Sequence, residues 1–156
     1  MLMRYLLRLT AGSALAAFGI CTLLSHLLLS GWEHSAAAGE DAVARGVLLL
    51  TIFLPAFAIT SICATTAFAI LMTGRTGPPL VQKIFVALLG AAIGVVLIMV
   101  GGDPVVLLLP RTVPAWVFHG IGLIVAALAL VAGLLTIIRL RRTAASAPAP
   151  AGIARE

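Results

Sequence analysis

The chain has 156 residues, 62% of them hydrophobic and only 10% charged, with a mean hydropathy of +1.22. Soluble domains carry roughly 25% charged residues, and a soluble fold of this size has no interior large enough to hide so much apolar surface, so lipid is the expected solvent. A net charge of +5 would point to nucleic acid in a soluble protein; here most basic residues flank apolar runs, where they act as topology signals and headgroup contacts, and the reading has no nucleic-acid partner.

Taken in order, the apolar runs predict an all-α integral membrane protein with four transmembrane helices, at about 5–29, 47–72, 84–100 and 115–138. Arg4 and Arg8 share a helix face at the start of the first, and Tyr5 suits the interface. The charge-free run that follows is too long for a signal peptide, whose apolar region spans about 7–15 residues, so a retained helix is expected. Ser30 to Arg45 reads as a polar connection, with Glu40 and Asp41 at the N-terminal end of a helical approach, where the macrodipole favours them.

Val47 to Met72 holds no charge and is long enough to cross a ~30 Å hydrocarbon core. Pro55 removes the bond to the Thr51 carbonyl and predicts a kink there. Thr60, Ser61, Thr65 and Thr66 can return their hydroxyls to backbone carbonyls, so this stretch reads as the central packing helix. Gly74, Gly77, Pro78 and Pro79 mark a turn before the third crossing. Gly101, Gly102 and Pro104 end that crossing and leave Val105–Leu109 as an apolar segment too short to span. Pro114 suits the first turn of the last helix, which Arg139, Arg141 and Arg142 are expected to stop. Residues 143–156 are Ala/Pro-rich without periodicity and are expected to form a disordered cytoplasmic tail.

The basic residues predict the threading. With the N-terminus inside, Arg4, Arg8, Arg75, Lys83, Arg139, Arg141, Arg142 and Arg155 fall inside and only Arg45 and Arg111 outside, a strong positive-inside bias with both termini cytoplasmic. Trp32 and Trp116 then lie at the outer interface. The expected location is a bacterial-type inner membrane.

Small residues recur at four-residue spacing on every crossing: Gly12 and Ala16; Ala56, Thr60 and Ala64; Gly90 and Gly94; Ala129 and Gly133. Such stripes let helix backbones approach closely in lipid, either within the bundle or against a second membrane protein. Cys21 and Cys63 belong to no metal or redox spacing and sit at depths differing by roughly 10 Å, so they read as packing residues.

The candidates for chemistry collect at the outer side. His26 and His119 fall in the outer leaflet on the first and last helices. A neutral imidazole at that depth suits haem iron or a metal, which defines a redox alternative; the plainer role is a hydrogen bond to backbone or headgroups. Asp103 sits at the outer boundary, where Asp-Pro after Gly-Gly is also turn chemistry. No ionisable side chain other than histidine is expected inside the bundle, which counts against a self-sufficient ion-coupled transporter. No nucleophile–base pair, phosphate loop or C-x-x-C is present, so no enzyme activity and no resident cofactor are expected. A small homo-oligomeric transporter or channel lined by Thr51, Thr60, Ser61, Thr65 and Thr66 remains an alternative. The leading expectation is a non-catalytic accessory or scaffolding subunit that contacts lipid and another membrane subunit, or itself.

One resemblance supports it. Glu40-Asp41-Ala42-Val43-Ala44-Arg45, leading into GVLLLTIFLPA, and Pro110 to Trp116, PRTVPAW, resemble segments before the second and last crossings of the small membrane subunit of tripartite ATP-independent periplasmic (TRAP) transporters. That family typically carries a basic, His-containing signature after its second crossing; Arg75-Thr76-Gly77-Pro78 stands there in this chain. The resemblance implies a scaffold that pairs with a large permease; Glu40, Asp41 and Arg45 on the segment that carries it, and Asp103 in another outer connection, are candidate partner contacts.

Overall fold

The structure, a computed structural model, describes residues 1–36, 47, 49–110 and 112–146. Helix α1 runs Leu2–Ala36, a π-helical turn covers Leu49–Phe53, and α2 follows without a break at Leu54–Thr73. Helix α3 spans Leu80–Gly101, the short α4 spans Pro104–Leu108, and α5 spans Ala115–Ala145. Four of these helices, α1, α2, α3 and α5, are long and apolar enough to cross a membrane. No strand occurs among the described residues.

Three boundaries depart from the sequence expectation. Helix α1 continues through Ala36, into the stretch read as a polar connection; no proline stands between Ser30 and Ala36, and the single Gly31 is tolerated. Helix α5 runs to Ala145, past the basic residues expected to stop it. Arginine is a good helix former and favours a C-terminal turn, so the helix carries its charges outward. Val105–Leu109, expected only as an apolar segment, is largely taken up by α4. The tail from 147 lies outside the described residues. Near Pro55 the helix absorbs the missing N–H by switching to a π-helical turn over Leu49–Phe53, a common response to a disrupted ladder. Thr51 Oγ1 donates to the Val47 carbonyl at 2.7 Å within this turn.

Helix α1, and not α2, is the central element. It packs most extensively against α5 and α3, and also touches α2. Its sequence explains this, because it carries a separate small-residue stripe for each main neighbour. Gly12, Ala16 and Gly19 meet α5: a β-carbon on Gly133 would stand 2.7 Å from the Ala16 nitrogen and 2.8 Å from the Gly12 oxygen, and one on Gly19 would stand 2.9 Å from the Ala126 oxygen. Ser13 and Ala17 meet α3: a β-carbon on Gly90 would stand 2.5 Å from the Thr10 oxygen, and one on Gly94 2.5 Å from the Ala14 oxygen. The residue pairs show α1 antiparallel to α5 and parallel to α3. All of these small residues are buried. At such separations only glycine fits, and backbone contact replaces the side-chain interlock of a soluble bundle.

Helix α2 behaves differently along its length. Its buried residues are Ser61, Thr65, Thr66, Ala69 and Thr73. The stripe expected at Ala56, Thr60 and Ala64 is not the packing face: Ala56 and Thr60 are exposed and Ala64 is half-buried. Ser and Thr fill small volumes once their hydroxyls bond back to the chain, as Thr65 does to the Ser61 carbonyl at 2.7 Å and Thr73 to that of Ala69 at 2.9 Å. They compete with alanine for the interface, and the Ser61–Thr65–Ala69–Thr73 register wins. Ala129 on α5 is only half-buried, beside the tighter Gly133.

One end of the bundle is basic. Arg4 and Arg8, the α2–α3 turn with Arg75, Lys83, and Arg139, Arg141 and Arg142 meet there, as Tyr5 lies against Gly77 and Arg141 against Gly74. Lys83, read from sequence as the end of a connection, is 2% exposed. Its Nζ donates to the Gly74 carbonyl at 2.9 Å and to that of Thr76. From the first turn of α3 it therefore satisfies the carbonyl of Gly74, the C-cap of α2, and that of Thr76 in the turn beyond. Lys83→Met, which keeps the stem and deletes the donors, is expected to cost about 1–3 kcal/mol. Thermal unfolding in detergent checks this; an unchanged midpoint would mean that water satisfies both carbonyls.

Candidate functional site

The opposite end holds a polar cluster built from three elements. Helix α1 contributes His26, 1% exposed, one turn from Thr22, whose hydroxyl bonds back to the Phe18 carbonyl at 2.9 Å. Helix α5 contributes Phe118, His119 and Gly122. The corner between α3 and α4 contributes Asp103. That corner exists because Gly102 takes φ +76°, ψ 177°, a conformation open to glycine. Asp103 then caps α4, accepting the Val105 N–H on Oδ1 at 2.9 Å, with Pro104 in the first turn.

This capped geometry turns the second carboxylate oxygen inward. Oδ2 lies 2.8 Å from His26 Nε2, a close contact off the axis of the ring N–H. The Ser25 hydroxyl divides its proton between Asp103 Oδ2 at 3.2 Å and the Thr22 carbonyl at 2.9 Å. On its other side, His26 Nδ1 faces His119 Nδ1 at 3.2 Å. Two ring nitrogens at that distance share one proton. The consistent neutral arrangement protonates His26 on Nε2, toward the carboxylate, and His119 on Nδ1, toward His26. The three side chains thus follow one another from α5 through α1 to the α3–α4 corner, with a hydrogen bond between the imidazoles and a polar contact, not an aligned hydrogen bond, at the carboxylate. Phe118 covers it, with ring centroids 5.0 Å from His26 and 5.4 Å from His119. Gly122 lies under the His26 ring so closely that a β-carbon there would overlap the imidazole.

The two histidines expected at one level are thus brought together, and Asp103 with them. Glu40, Asp41 and Arg45 lie outside the described residues. The arrangement does not fit a bis-His haem, which needs axial nitrogens about 4 Å apart with the macrocycle between them. Nor do the donors converge on one ion, since His26 turns a different nitrogen to each partner; among the described residues no group of three or more His, Cys, Asp or Glu side chains is placed to hold a metal. What the cluster does is tie three elements together by charge-assisted contacts in an apolar setting, where such contacts are strong.

Ser25 and Gly122 escaped sequence reasoning. The only trace of Gly122 is that it stands three residues after His119 on the same helix face. The hydroxyls expected to line a common path do not share a face: Ser61, Thr65 and Thr66 are buried, while Thr51 and Thr60 are exposed. Cys21 is buried, Cys63 is exposed, and both are free thiols.

Four helices long and apolar enough to cross a membrane suggest a multi-pass membrane protein. No family model matches the chain, and no curated protein or solved structure matches it.

Proposed function

We propose that the chain is a non-catalytic accessory subunit of a larger complex in a bacterial-type inner membrane, with both termini on the cytoplasmic side. Its partner-facing element is the half of α2 nearer the histidine end. What supports this reading is the division of small residues. Those of α1, α3 and α5 are largely consumed inside the bundle, whereas no side chain from Thr51 to Thr60 is buried. Thr51, Pro55, Ala56 and Thr60 remain exposed beside Ile52, Phe53 and Ile59. A small, hydroxyl-bearing helix face is the kind a second transmembrane helix packs against. The π-helical turn at its start is a further mark of a segment not optimised for its own bundle. The resemblance to the small TRAP subunit names the finer version, in which the partner is a large permease that carries the transported solute.

Affinity purification from native membranes tests it. The wild-type chain is expected to bring down a larger membrane protein in fixed ratio. Ala56→Leu with Thr60→Leu is expected to reduce that capture about tenfold or more, as interface anchors do, with the unfolding midpoint of the purified chain unchanged. A sharp monomer without a partner would sink the reading.

A further inference from the structure

The basic end presents a group of arginines that neither the bundle's packing nor the α2 face uses, with the buried Lys83 among them. Arg4, Arg8, Arg75, Lys83, Arg139, Arg141 and Arg142 gather there, and among the described residues none forms an ion pair; the ion-paired carboxylate, Asp103, is at the far end. Within this group one corner is organised. Lys83 is buried with its charge held under the α2–α3 turn by the carbonyls of Gly74 and Thr76, so a positive charge lies beneath that turn with no carboxylate paired to it among the described residues. Above it, Gly74 takes φ +61° and gives Arg141 room, since a β-carbon there would stand 3.2 Å from Arg141 Nε. Arg75 is the next residue in the turn and is exposed, as is Arg141.

A second feature has the same sign. Helix α3 starts at Leu80 behind Pro79, with no side-chain cap and no acidic residue in its first turn. Its first N–H groups add the positive end of a 22-residue helix to the same corner. Leu71, Leu80, Val81 and Phe85 are exposed immediately beside it. An anion that fits here has a phosphate-sized head and apolar chains.

We propose that this corner is a binding site for the headgroup of an anionic phospholipid. Arg75 and Arg141 take the phosphate, Lys83 and the α3 N-terminus supply the fixed field, and the acyl chains lie on the apolar surface around Leu71 and Phe85. Basic pockets between membrane helices recognise lipid headgroups by this combination of charge and adjoining apolar surface. The site is independent of whatever partner covers α2.

Native mass spectrometry of the full chain in a neutral detergent, with phosphatidylglycerol and phosphatidylcholine added in equal amounts, tests the assignment. The expected result is one retained phosphatidylglycerol, lowered about tenfold or more in Arg75→Gln with Arg141→Gln, the scale of two basic contacts near a membrane surface. Arg75→Gln alone, a change in an exposed turn, is expected to lower it several-fold and guards against a misfolded double variant. Arg4→Gln with Arg8→Gln is expected to leave it unchanged. Equal retention of phosphatidylcholine, or an equal loss in the Arg4/Arg8 variant, would overturn the site in favour of a diffuse basic rim. Displacement of the lipid by millimolar inorganic phosphate would overturn the lipid assignment in favour of a free-anion site.

Discussion

Replacing Gly133 with leucine is expected to lower the unfolding midpoint by roughly 10 °C and to broaden the monomer peak in detergent. Overpacking a well-fitted interior usually costs about 1–3 kcal/mol, because side chains and backbone shift to relieve it. At Gly133 the usual relief is missing. The atoms a β-carbon would meet are the Ala16 nitrogen at 2.7 Å and the Gly12 oxygen at 2.8 Å, and no rotamer change moves a backbone. The two helices must separate along their length, which also opens the neighbouring Gly19–Ala126 approach. A loss of about 3 kcal/mol or more follows, and at about 2–4 °C per kcal/mol for a chain of this size it gives the stated shift. Gly94→Leu is expected to act similarly through α1 and α3, since its β-carbon would stand 2.5 Å from the Ala14 oxygen. Ala56→Leu, on the exposed half of α2, is the control and is expected to change nothing. Scanning fluorimetry of the purified variants measures all three. A midpoint for Gly133→Leu equal to that of the control would mean that α1 and α5 are not in backbone contact.

These contrasts show how far the sequence could be read. The existence and order of the four long helices follow from charge-free length, because in lipid every backbone polar group must be satisfied within its own segment. Small-residue stripes were legible on α1, α3 and α5, where a glycine stands in each and marks the closest backbone approach. On α2 they were not. Ala56, Thr60 and Ala64 share a face by spacing, and so do Ser61, Thr65 and Ala69, one residue further round the helix. Spacing cannot rank two such registers; what the neighbouring helices offer does. The level of His26 and His119 could be inferred by counting turns, but their facing one another depends on the rotation of α1 against α5. Glycines 12, 19, 122 and 133 set that rotation, and only the first and last of them stood out in the sequence. Lys83 was hidden for a different reason: it follows a Gly/Pro turn and reads as part of a connection, whereas its long stem folds back to close the preceding helix.

The second large effect is expected at the histidine cluster, and it comes with an internal check. His26→Ala removes the partner of a carboxylate that is 11% exposed and leaves a hole above Gly122. The cavity left by the imidazole and the carboxylate deprived of its polar contact together cost about 3–5 kcal/mol. Asp103→Ala is expected to cost somewhat less, about 2–4 kcal/mol: it strands His26 Nε2 and also deletes the α4 cap, worth about 1 kcal/mol. Asp103→Asn keeps the cap and should recover that last part alone. The double variant His26→Ala/Asp103→Ala is expected to be more stable than the sum of the singles by about 1–3 kcal/mol, since neither group is then left unpaired. Gly122 supplies the check. Gly122→Ala alone should be severely destabilising, because its β-carbon would overlap the His26 ring. In a His26→Ala background the same change fills the vacated space and should be neutral or stabilising. A Gly122→Ala effect of the same size in both backgrounds would show that the His26 imidazole does not lie over Gly122, and the chain from His119 through His26 to Asp103 would fall with it.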